Sequence, residues 1–288
     1  MTMTAAAQWL NTAFAGYDEA ILKIMHSLSG ALGSVLTPLM KLITFLGEKG
    51  LLLLLLSLVL MCFARTRRVG VCVFGAVCCG ALITNIILKD WVARPRPFEA
   101  LDLYRMWWND IGAPAEDGFS FPSGHVTAAA AGMTALYRAE GKKYLKPGII
   151  WVLLMAVSRN YLMAHYPSDV LFAAIFGVAS GFIAWEITKL IFRFLEEHDD
   201  NRLCALALDF DVPLPDIGLR LPLSGKGKKN APDKDGDDAA PRRDRADTGT
   251  AGRSYDGESR RERPAAARKP SGTLEKLGIR RKKGRHEL

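Results

Sequence analysis

The sequence contains few cysteines, and their number and positions exclude a small disulfide-stapled domain. Five cysteines occur among 288 residues, and four of them lie in apolar segments. An odd number of cysteines in such positions does not form a paired disulfide framework, and their spacing matches no zinc site. The five are Cys62, Cys72, Cys78, Cys79 and Cys204.

The first 225 residues also lack an excess of either charge, because they contain 19 basic and 19 acidic side chains. The net charge of +8 comes entirely from residues 226–288, which hold 19 basic and 11 acidic side chains. A nucleic-acid groove needs an unbalanced set of cations on the folded body. We therefore expect no nucleic-acid partner.

Long apolar runs separated by short charged segments are the main pattern of the sequence. No cationic segment followed by an apolar core opens the chain, so we expect no cleaved signal peptide. The pattern predicts an all-α fold, a multi-pass transmembrane helical bundle. A sixth apolar segment, 21–46, is interrupted by polar residues and a proline, and it is either a span or an interfacial helix. The five clear runs are 50–64, 69–88, 123–137, 148–157 and 170–194.

Basic residues between the runs predict the orientation in the membrane. Three arginines follow the run 50–64, four basic residues follow the run 123–137, and the basic tail follows the last run. The positive-inside rule assigns all three segments to the cytoplasm. Residues 89–122 and 161–169 are then predicted on the exoplasmic side.

Composition divides the chain into three parts. Residues 1–197 form the predicted transmembrane domain, 198–225 a juxtamembrane segment and 226–288 a basic cytoplasmic tail. The tail has too few apolar residues to offset the entropy of ordering, so we predict that it is disordered. Its end, 273–285, is either a short basic helix on the anionic inner leaflet or a solvated segment.

Three polar clusters lie at run ends on the predicted exoplasmic side, at 89–97, 121–125 and 158–169. Charged groups are costly near a bilayer, at about 2.5–3.5 kcal/mol each at its centre. Each cluster alone has a structural explanation. Lys89 and Arg94 suit snorkelling at a helix end, Ser123 suits a helix N-cap, and His165 and Asp169 suit an interfacial pair. The convergence of all three on one face favours a functional site.

The residue types in these clusters suit phosphoryl transfer. Lys89, Arg96 and Arg159 supply three positive charges for phosphate oxygens. Ser123 can donate its hydroxyl, and Gly124 lets backbone N–H groups at a helix N-terminus approach the anion.

Two histidines and an aspartate supply the remaining roles. A neutral His165 can attack phosphorus and form a covalent phosphoenzyme. Asp169, beyond a predicted helix break at Pro167, can fix the imidazole tautomer and stabilise its cationic form. His125 can protonate the leaving oxygen and later activate water.

These residues resemble the three signature motifs of the phosphatidic acid phosphatase type 2 family. Every signature position is present, in order, over residues 89–169, and with flanking helices the resemblance extends over about 15–195. It implies a bundle of six transmembrane helices and a metal-independent phosphohistidine mechanism without a cofactor. It assigns His165 as nucleophile, Asp169 as its partner and His125 as general acid. Arg94 lies outside the signature and is treated as a supporting cation. The motifs read Lys89-x6-Arg96-Pro97, Pro122-Ser123-Gly124-His125 and Ser158-Arg159-x5-His165-x3-Asp169.

The resemblance implies a lipid phosphate substrate and a cell-membrane location, with the site facing the exoplasm. Undecaprenyl diphosphate fits this orientation best, followed by phosphatidylglycerol phosphate and phosphatidic acid. A vanadate-dependent haloperoxidase is disfavoured because those relatives are soluble, and a non-catalytic scaffold with a basic tail because every catalytic position is present. Tyr104, Trp107 and Trp108 are interpreted as an interfacial aromatic belt or as a lid.

Overall fold

The computed structural model describes residues 3–212, apart from the side chain of Lys49. All regular secondary structure in this part of the chain is helical, which confirms the all-α prediction. A π-helical segment, Leu82–Leu88, joins α4 to α5, and single 3₁₀ turns cover Glu48–Gly50 and Lys142–Tyr144. The helices are α1 Ala5–Ala13, α2 Ala15–Leu46, α3 Leu51–Met61, α4 Arg67–Ala81, α5 Lys89–Val92, α6 Pro97–Ala100, α7 Asp102–Asp110, α8 Gly124–Glu140, α9 Leu145–Tyr161, α10 Pro167–Glu197 and α11 Arg202–Asp209.

Three helical stretches of the described chain are long and apolar enough to cross a membrane. They are Ala15–Leu46, Arg67–Ala100 and Pro167–Glu197. Many of the large apolar side chains on these helices and on α3 are exposed, including Phe45 and Ile86. Side chains of this kind suit contact with lipid rather than with water, so the exposed apolar surface agrees with a membrane bundle.

The centre of the bundle is α8, which packs against α4, α9 and α10. Small residues allow α8 and α10 to pack closely. Alanines occupy the buried face of α8, and glycines of α10 lie against that face. A Cβ atom added at Gly177 would lie 2.5 Å from the carbonyl oxygen of Thr127 and 2.6 Å from Ala130 Cβ. Small residues that let helix backbones approach are typical of helix interfaces in membranes.

The predicted site segments share one end of the bundle. At that end α8 and α10 begin and α9 finishes, and the segments 89–123 and 162–166 connect the helices. The guanidinium of Arg96 donates to the carbonyl oxygens of Ala164, at 2.9 Å, and of Gly118, at 2.8 Å. These hydrogen bonds join the two connecting segments. The basic residues 65–68 and 142–146 lie at the opposite helix ends.

The long helix α2 bends at Leu32, where φ is −131° and ψ is 18°. Near its start, Asp18 accepts a hydrogen bond of 2.8 Å from the backbone N–H of Ser168, at the beginning of α10. Near its end, the Thr44 hydroxyl contacts that of Ser158, close to the end of α9. Both ends of α2 therefore lie at the site end of the bundle.

The bend of α2 matters for the segment 21–46, which the sequence analysis interpreted as either a membrane span or an interfacial helix. The segment has the length and apolarity of a span, but α2 does not run straight from one end of the bundle to the other. The bundle of six transmembrane helices therefore stays a prediction, whereas the helical fold is observed.

The segment after α10 folds back on the bundle. Asn201 caps α11 by accepting a hydrogen bond from the N–H of Leu203. Arg67 donates to the carbonyl oxygens of Ala207, at 2.8 Å, and Leu208, at 2.6 Å, which lie in the last turn of α11. Residues 213–288, including the predicted disordered tail 226–288 and its basic end 273–285, lie outside the described residues.

Candidate active site

The structure brings the three predicted clusters together in a buried site. Six of the eight predicted site residues are buried, whereas Lys89 and Gly124 are half-buried. Burial of this many ionisable groups at one helix end is costly unless they neutralise one another or a ligand. The six buried residues are Arg96, Ser123, His125, Arg159, His165 and Asp169.

The imidazole of His165 is held by a backbone carbonyl. Its Nδ1 lies 2.7 Å from the carbonyl oxygen of Ser120. Because a carbonyl oxygen only accepts hydrogen bonds, this contact assigns the proton to Nδ1 and leaves the lone pair of the neutral ring on Nε2. Ser120 therefore selects the tautomer of the neutral ring in which Nε2 carries the lone pair.

The sequence had assigned this role to Asp169, and the contacts differ. Asp169 Oδ2 lies 4.0 Å from His165 Nδ1. Its oxygens accept hydrogen bonds from Arg94 at 2.6 Å, from the backbone N–H of Tyr166 at 2.9 Å and from the Ser120 hydroxyl. Asp169 is thus a nearby negative charge, and it holds the residue whose carbonyl orients the ring. No motif pointed to Ser120, because every residue type offers a backbone carbonyl.

Burial and neighbouring cations keep His165 neutral. Burial is the larger cause of a pKa well below the ordinary histidine value, and the positive charges of Arg96 and Arg159 lower this pKa further, followed by those of His125 and Lys89. Desolvation and like charges both disfavour the protonated ring. A neutral imidazole is the form that can act as a nucleophile.

Arg96 and Arg159 converge on a carboxylate that the sequence analysis did not identify. The carboxylate of Glu116 pairs with Arg159 and lies 3.6 Å from Arg96. Glu116 belongs to the connecting segment before α8 and is partly exposed, whereas both arginines are buried. Its position in a loop without periodicity gave no signal in the sequence. Glu116 supplies to the two cations the kind of oxygen ligand that a phosphate would supply.

We call the five predicted phosphate ligands the phosphate cradle; they are Lys89, Arg96, Ser123, Gly124 and Arg159. Two of its buried donors, Ser123 Oγ and Arg159 Nε, have no hydrogen-bond partner among the described residues. Ser123 occupies the N-cap of α8, but its side chain makes no capping hydrogen bond. The structural explanation of Ser123 as a side-chain cap is therefore not supported. Buried donors without an acceptor are rare in folded proteins and call for an explanation such as a bound anion.

The cradle approaches α8 where Gly124 begins that helix. A Cβ atom added at Gly124 would lie 3.0 Å from Asn85 Oδ1, so the glycine permits close contact with the π-helical segment. That segment ends directly before Lys89. A Cβ atom added at Gly118 would lie 3.8 Å from Lys89 Cε. Because the Gly118 carbonyl also accepts from Arg96, the side chains of both basic residues of the first motif lie near this glycine.

His125 lies in the first turn of α8, beside the 3₁₀ turn that follows α2. Its Nε2 is 3.4 Å from Glu48 Oε2. Gly50 ends this turn with φ of +74°, and a Cβ atom there would lie 2.8 Å from Ala128 Cβ. Glycine is therefore needed both for the backbone conformation and for the close approach to α8.

The aromatic residues of α7 pack onto the site end. Tyr104 and Trp107 are buried in a cluster with Leu22 of α2 and Met163, and His26 stacks on Trp107 with ring centroids 4.1 Å apart. The helix is thus fastened to α2 and to the segment that carries His165. Among the described residues, no group of three or more His, Cys, Asp or Glu side chains is arranged to hold a metal ion.

Known proteins resemble this chain over the region that contains the predicted site residues 89–169. The sequence model of the PAP2 superfamily matches residues 69–193. Undecaprenyl-diphosphatase BcrC of Bacillus subtilis is 30% identical over 177 residues, which is 61% of this chain and 86% of that protein. Phosphatidylglycerophosphatase B of Haemophilus influenzae is 42% identical over 109 residues, 35% of this chain and 42% of that protein.

A solved structure extends the likeness to the fold. It is the crystal structure of a transmembrane PAP2-type phosphatidylglycerolphosphate phosphatase from Bacillus subtilis, with a TM-score of 0.51 and 26% sequence identity. The match covers 65% of this chain and 91% of that one. Together with the apolar helices, these similarities show that the chain is a multi-pass membrane phosphatase and that it belongs to the PAP2 superfamily.

Proposed function

We propose that this protein hydrolyses a lipid-linked phosphate or diphosphate through a phosphohistidine on His165. The observation that carries the proposal is the hydrogen bond of 2.7 Å between His165 Nδ1 and the Ser120 carbonyl. It assigns a proton to Nδ1, so that the neutral ring, which burial and the neighbouring cations favour, carries its lone pair on Nε2. A nucleophile of this kind splits phosphate-ester hydrolysis into two easier steps.

In the first step, His165 Nε2 forms a bond to phosphorus while the bond from phosphorus to the leaving oxygen breaks. His125 gives its proton to that oxygen. In the second step, His125 removes a proton from water, whose oxygen attacks phosphorus and breaks the bond to nitrogen. Inorganic phosphate is released, and both histidines return to their initial states. The negative charge of Asp169 stabilises the cationic phosphoimidazole.

The cradle would bind the transferred phosphoryl group through Lys89, Arg96 and Arg159, together with Ser123 and the start of α8. The unpartnered Ser123 Oγ and Arg159 Nε support this assignment, because phosphate oxygens would satisfy both donors. Glu116 would leave the two arginines when substrate binds, since a carboxylate and a phosphate compete for the same donors.

Undecaprenyl diphosphate is the substrate we favour. Undecaprenyl-diphosphatase BcrC, of which this chain covers 86%, carries that activity in its name, and so does a relative from Sulfolobus acidocaldarius at 27% identity, of which the chain covers 59%. Phosphatidylglycerol phosphate is the second candidate, because two phosphatidylglycerophosphatases B and the solved structure carry that activity in their names. Phosphatidic acid is the third.

We infer that the site faces the exoplasm, since the basic residues 65–68 and 142–146 lie at the other end of the helices. Single cysteines in a cysteine-free background test this orientation. A membrane-impermeant maleimide applied to intact cells should label Asp117→Cys beside the site and leave Lys143→Cys unlabelled until the membrane is opened. The reverse pattern would place the site in the cytoplasm.

Phosphate release in detergent tests the reaction. The three lipid substrates are compared, with EDTA present, for the wild type, His165→Ala and the control His198→Ala, which changes an exposed histidine at the end of α10. We expect release that withstands EDTA, is lost in His165→Ala and persists in His198→Ala. Activity that survives in His165→Ala contradicts the phosphohistidine, and an inert wild type contradicts the substrate class.

A further inference from the structure

We propose that Asp18 is a positioning residue for the nucleophile His165 and that it acts through Arg94 and Asp169. Asp18 lies near the start of α2, before the bend at Leu32 and outside residues 69–193 that match the superfamily. The inference rests on the proposed role of His165. It assigns to the N-terminal helices a part in catalysis that the signature motifs do not contain.

Asp18 is buried, with an exposed fraction of 3%, and each of its carboxylate oxygens accepts hydrogen bonds. Oδ2 lies 2.8 Å from Arg94 Nη2 and 2.7 Å from the hydroxyl of Ser168. Oδ1 accepts from the backbone N–H of Ser168 at 2.8 Å. The hydrogen bond from the backbone N–H of Ser168 makes Asp18 an N-terminal cap of α10. This cap comes from a helix about 150 residues away in sequence.

Arg94 links Asp18 to the site. Its Nη1 donates to Asp169 Oδ1 at 2.6 Å and to the Ser168 hydroxyl at 2.8 Å, and its Nε donates to Asn11 Oδ1 at 2.8 Å. The guanidinium carbon lies 3.8 Å from the centre of the Tyr166 ring. These contacts hold a planar group in one orientation.

The resulting chain of contacts ends at the nucleophile. Arg94 lies between the carboxylates of Asp18 and Asp169, Asp169 accepts from the Ser120 hydroxyl, and the Ser120 carbonyl accepts from His165 Nδ1. Every side chain in it is buried. If Asp18 moves, water cannot replace the lost hydrogen bonds, so the displacement passes along the chain of contacts to His165.

The position of Asp18 explains how the segment 162–166 is held. His165 lies two residues before Pro167, at which α10 begins. Asp18 fixes the first turn of α10 through Ser168, and Arg94 packs on Tyr166, the residue next to His165. A displacement of about 1 Å in a nucleophile can cost about 100-fold in rate. Asp18 touches none of the predicted phosphate ligands, so its loss should act on kcat rather than on substrate binding.

The test compares Asp18→Asn with Glu19→Gln, its neighbour on α2, whose exposed carboxylate pairs with Lys23 at 2.6 Å. Release of phosphate from farnesyl diphosphate, a soluble prenyl diphosphate, is measured at a temperature where each variant is folded. We expect Asp18→Asn to lower kcat at least about 10-fold, with KM and the inhibition constant of inorganic phosphate within about two-fold of wild type. Glu19→Gln should match the wild type.

A second variant keeps the test decisive if Asp18→Asn does not fold. Asn11→Ala removes a partly exposed acceptor of Arg94, and it should lower kcat by a smaller factor with KM unchanged. Wild-type kcat in both variants overturns the inference, and so does a loss that appears only in KM. Activity of His165→Ala instead contradicts the proposed function, whatever the result at Asp18.

Discussion

The environment of a single histidine determines the chemistry available to this site. The imidazole of His165 is buried among cations, and a backbone carbonyl rather than a carboxylate selects its tautomer. The same arrangement keeps the ring neutral near neutral pH, which is the form that the proposed nucleophile needs. The lowered pKa of this ring predicts the direction in which the acid limb of the pH–rate profile moves.

We expect the acid limb of the kcat/KM profile to lie well below pH 6.5, the ordinary histidine pKa. The proposed mechanism requires neutral His165, and burial together with neighbouring cations lowers the pKa of this ring. The profile of the wild type from pH 4 upward, with a soluble substrate whose own titration is subtracted, measures the limb. A limb at or above pH 6.5 would contradict the neutral-nucleophile assignment.

The same pKa shift affects stability. The unfolded chain takes up a proton on His165 below about pH 6.5, whereas the folded protein does not. This contribution therefore destabilises the fold as the pH falls through that value. The melting temperature of the wild type should decrease more between pH 7.5 and pH 5 than that of His165→Asn, and equal decreases would show that the buried ring titrates normally.

Glu116 gives a second prediction for a single residue. Its carboxylate contacts Arg96 and Arg159, and in the proposed function it competes with phosphate for these two arginines. Glu116→Gln removes the competing charge, so we expect inorganic phosphate to inhibit the variant at a concentration several-fold lower, about 1 kcal/mol tighter. Asp117→Asn, a change of the exposed neighbouring carboxylate, is the control. An unchanged or higher inhibition constant for Glu116→Gln would show that Glu116 does not compete with phosphate.

At the scale of helices, close packing between α8 and α10 holds two parts of the site at a fixed distance. Gly124 and His125 begin α8, and Asp169 lies in the first turn of α10. Glycines of α10 face the alanines of α8, so the helix axes approach closely. The interface acts on the site through backbone geometry rather than through any contact with substrate.

Gly177→Ala should therefore weaken the bundle. Its Cβ would lie 2.5 Å from the Thr127 carbonyl, and overpacking of this kind costs about 1–3 kcal/mol. Gly75→Ala on α4 is the matched control, because its Cβ would make an ordinary contact of 3.7 Å with Ala184. We expect a lower melting temperature and lower kcat for Gly177→Ala only. Equal stability of the two variants would contradict the close approach of α8 and α10.

At the scale of the whole molecule, the described site is built entirely from the part of the chain before α11. Its predicted residues run from Lys89 to Asp169, Asn11 and Asp18 are linked to them through Arg94, and α11 contacts the other end of the bundle through Arg67. We expect a chain ending at residue 225 to keep kcat/KM within about two-fold in detergent, where the membrane contributes no charge. A larger loss would show that the tail takes part in the reaction.

Much of the fold was predictable from the long apolar runs of the sequence. Most of each of the five apolar runs is helical, although residues 62–64 at the end of the first run form a turn, and Pro167 begins α10 after the predicted break. The bend of α2 was not predictable, because Leu32 is compatible with a helix and tertiary contacts at Asp18 and Thr44 determine the course of the chain. Local residue patterns cannot report contacts between segments about 150 residues apart.

The sequence by itself determined the membrane bundle, the family and the set of residues that the signature motifs place at the site, because hydropathy and motif spacing are local properties. Only the tertiary structure decided which atoms meet. In the tertiary structure, the Ser120 carbonyl determines the tautomer of His165. Glu116 contacts the two arginines Arg96 and Arg159, and Asp18 pairs with Arg94. Backbone carbonyls and loop carboxylates carry no pattern along the chain, so their roles depend on the packing that brings distant segments together.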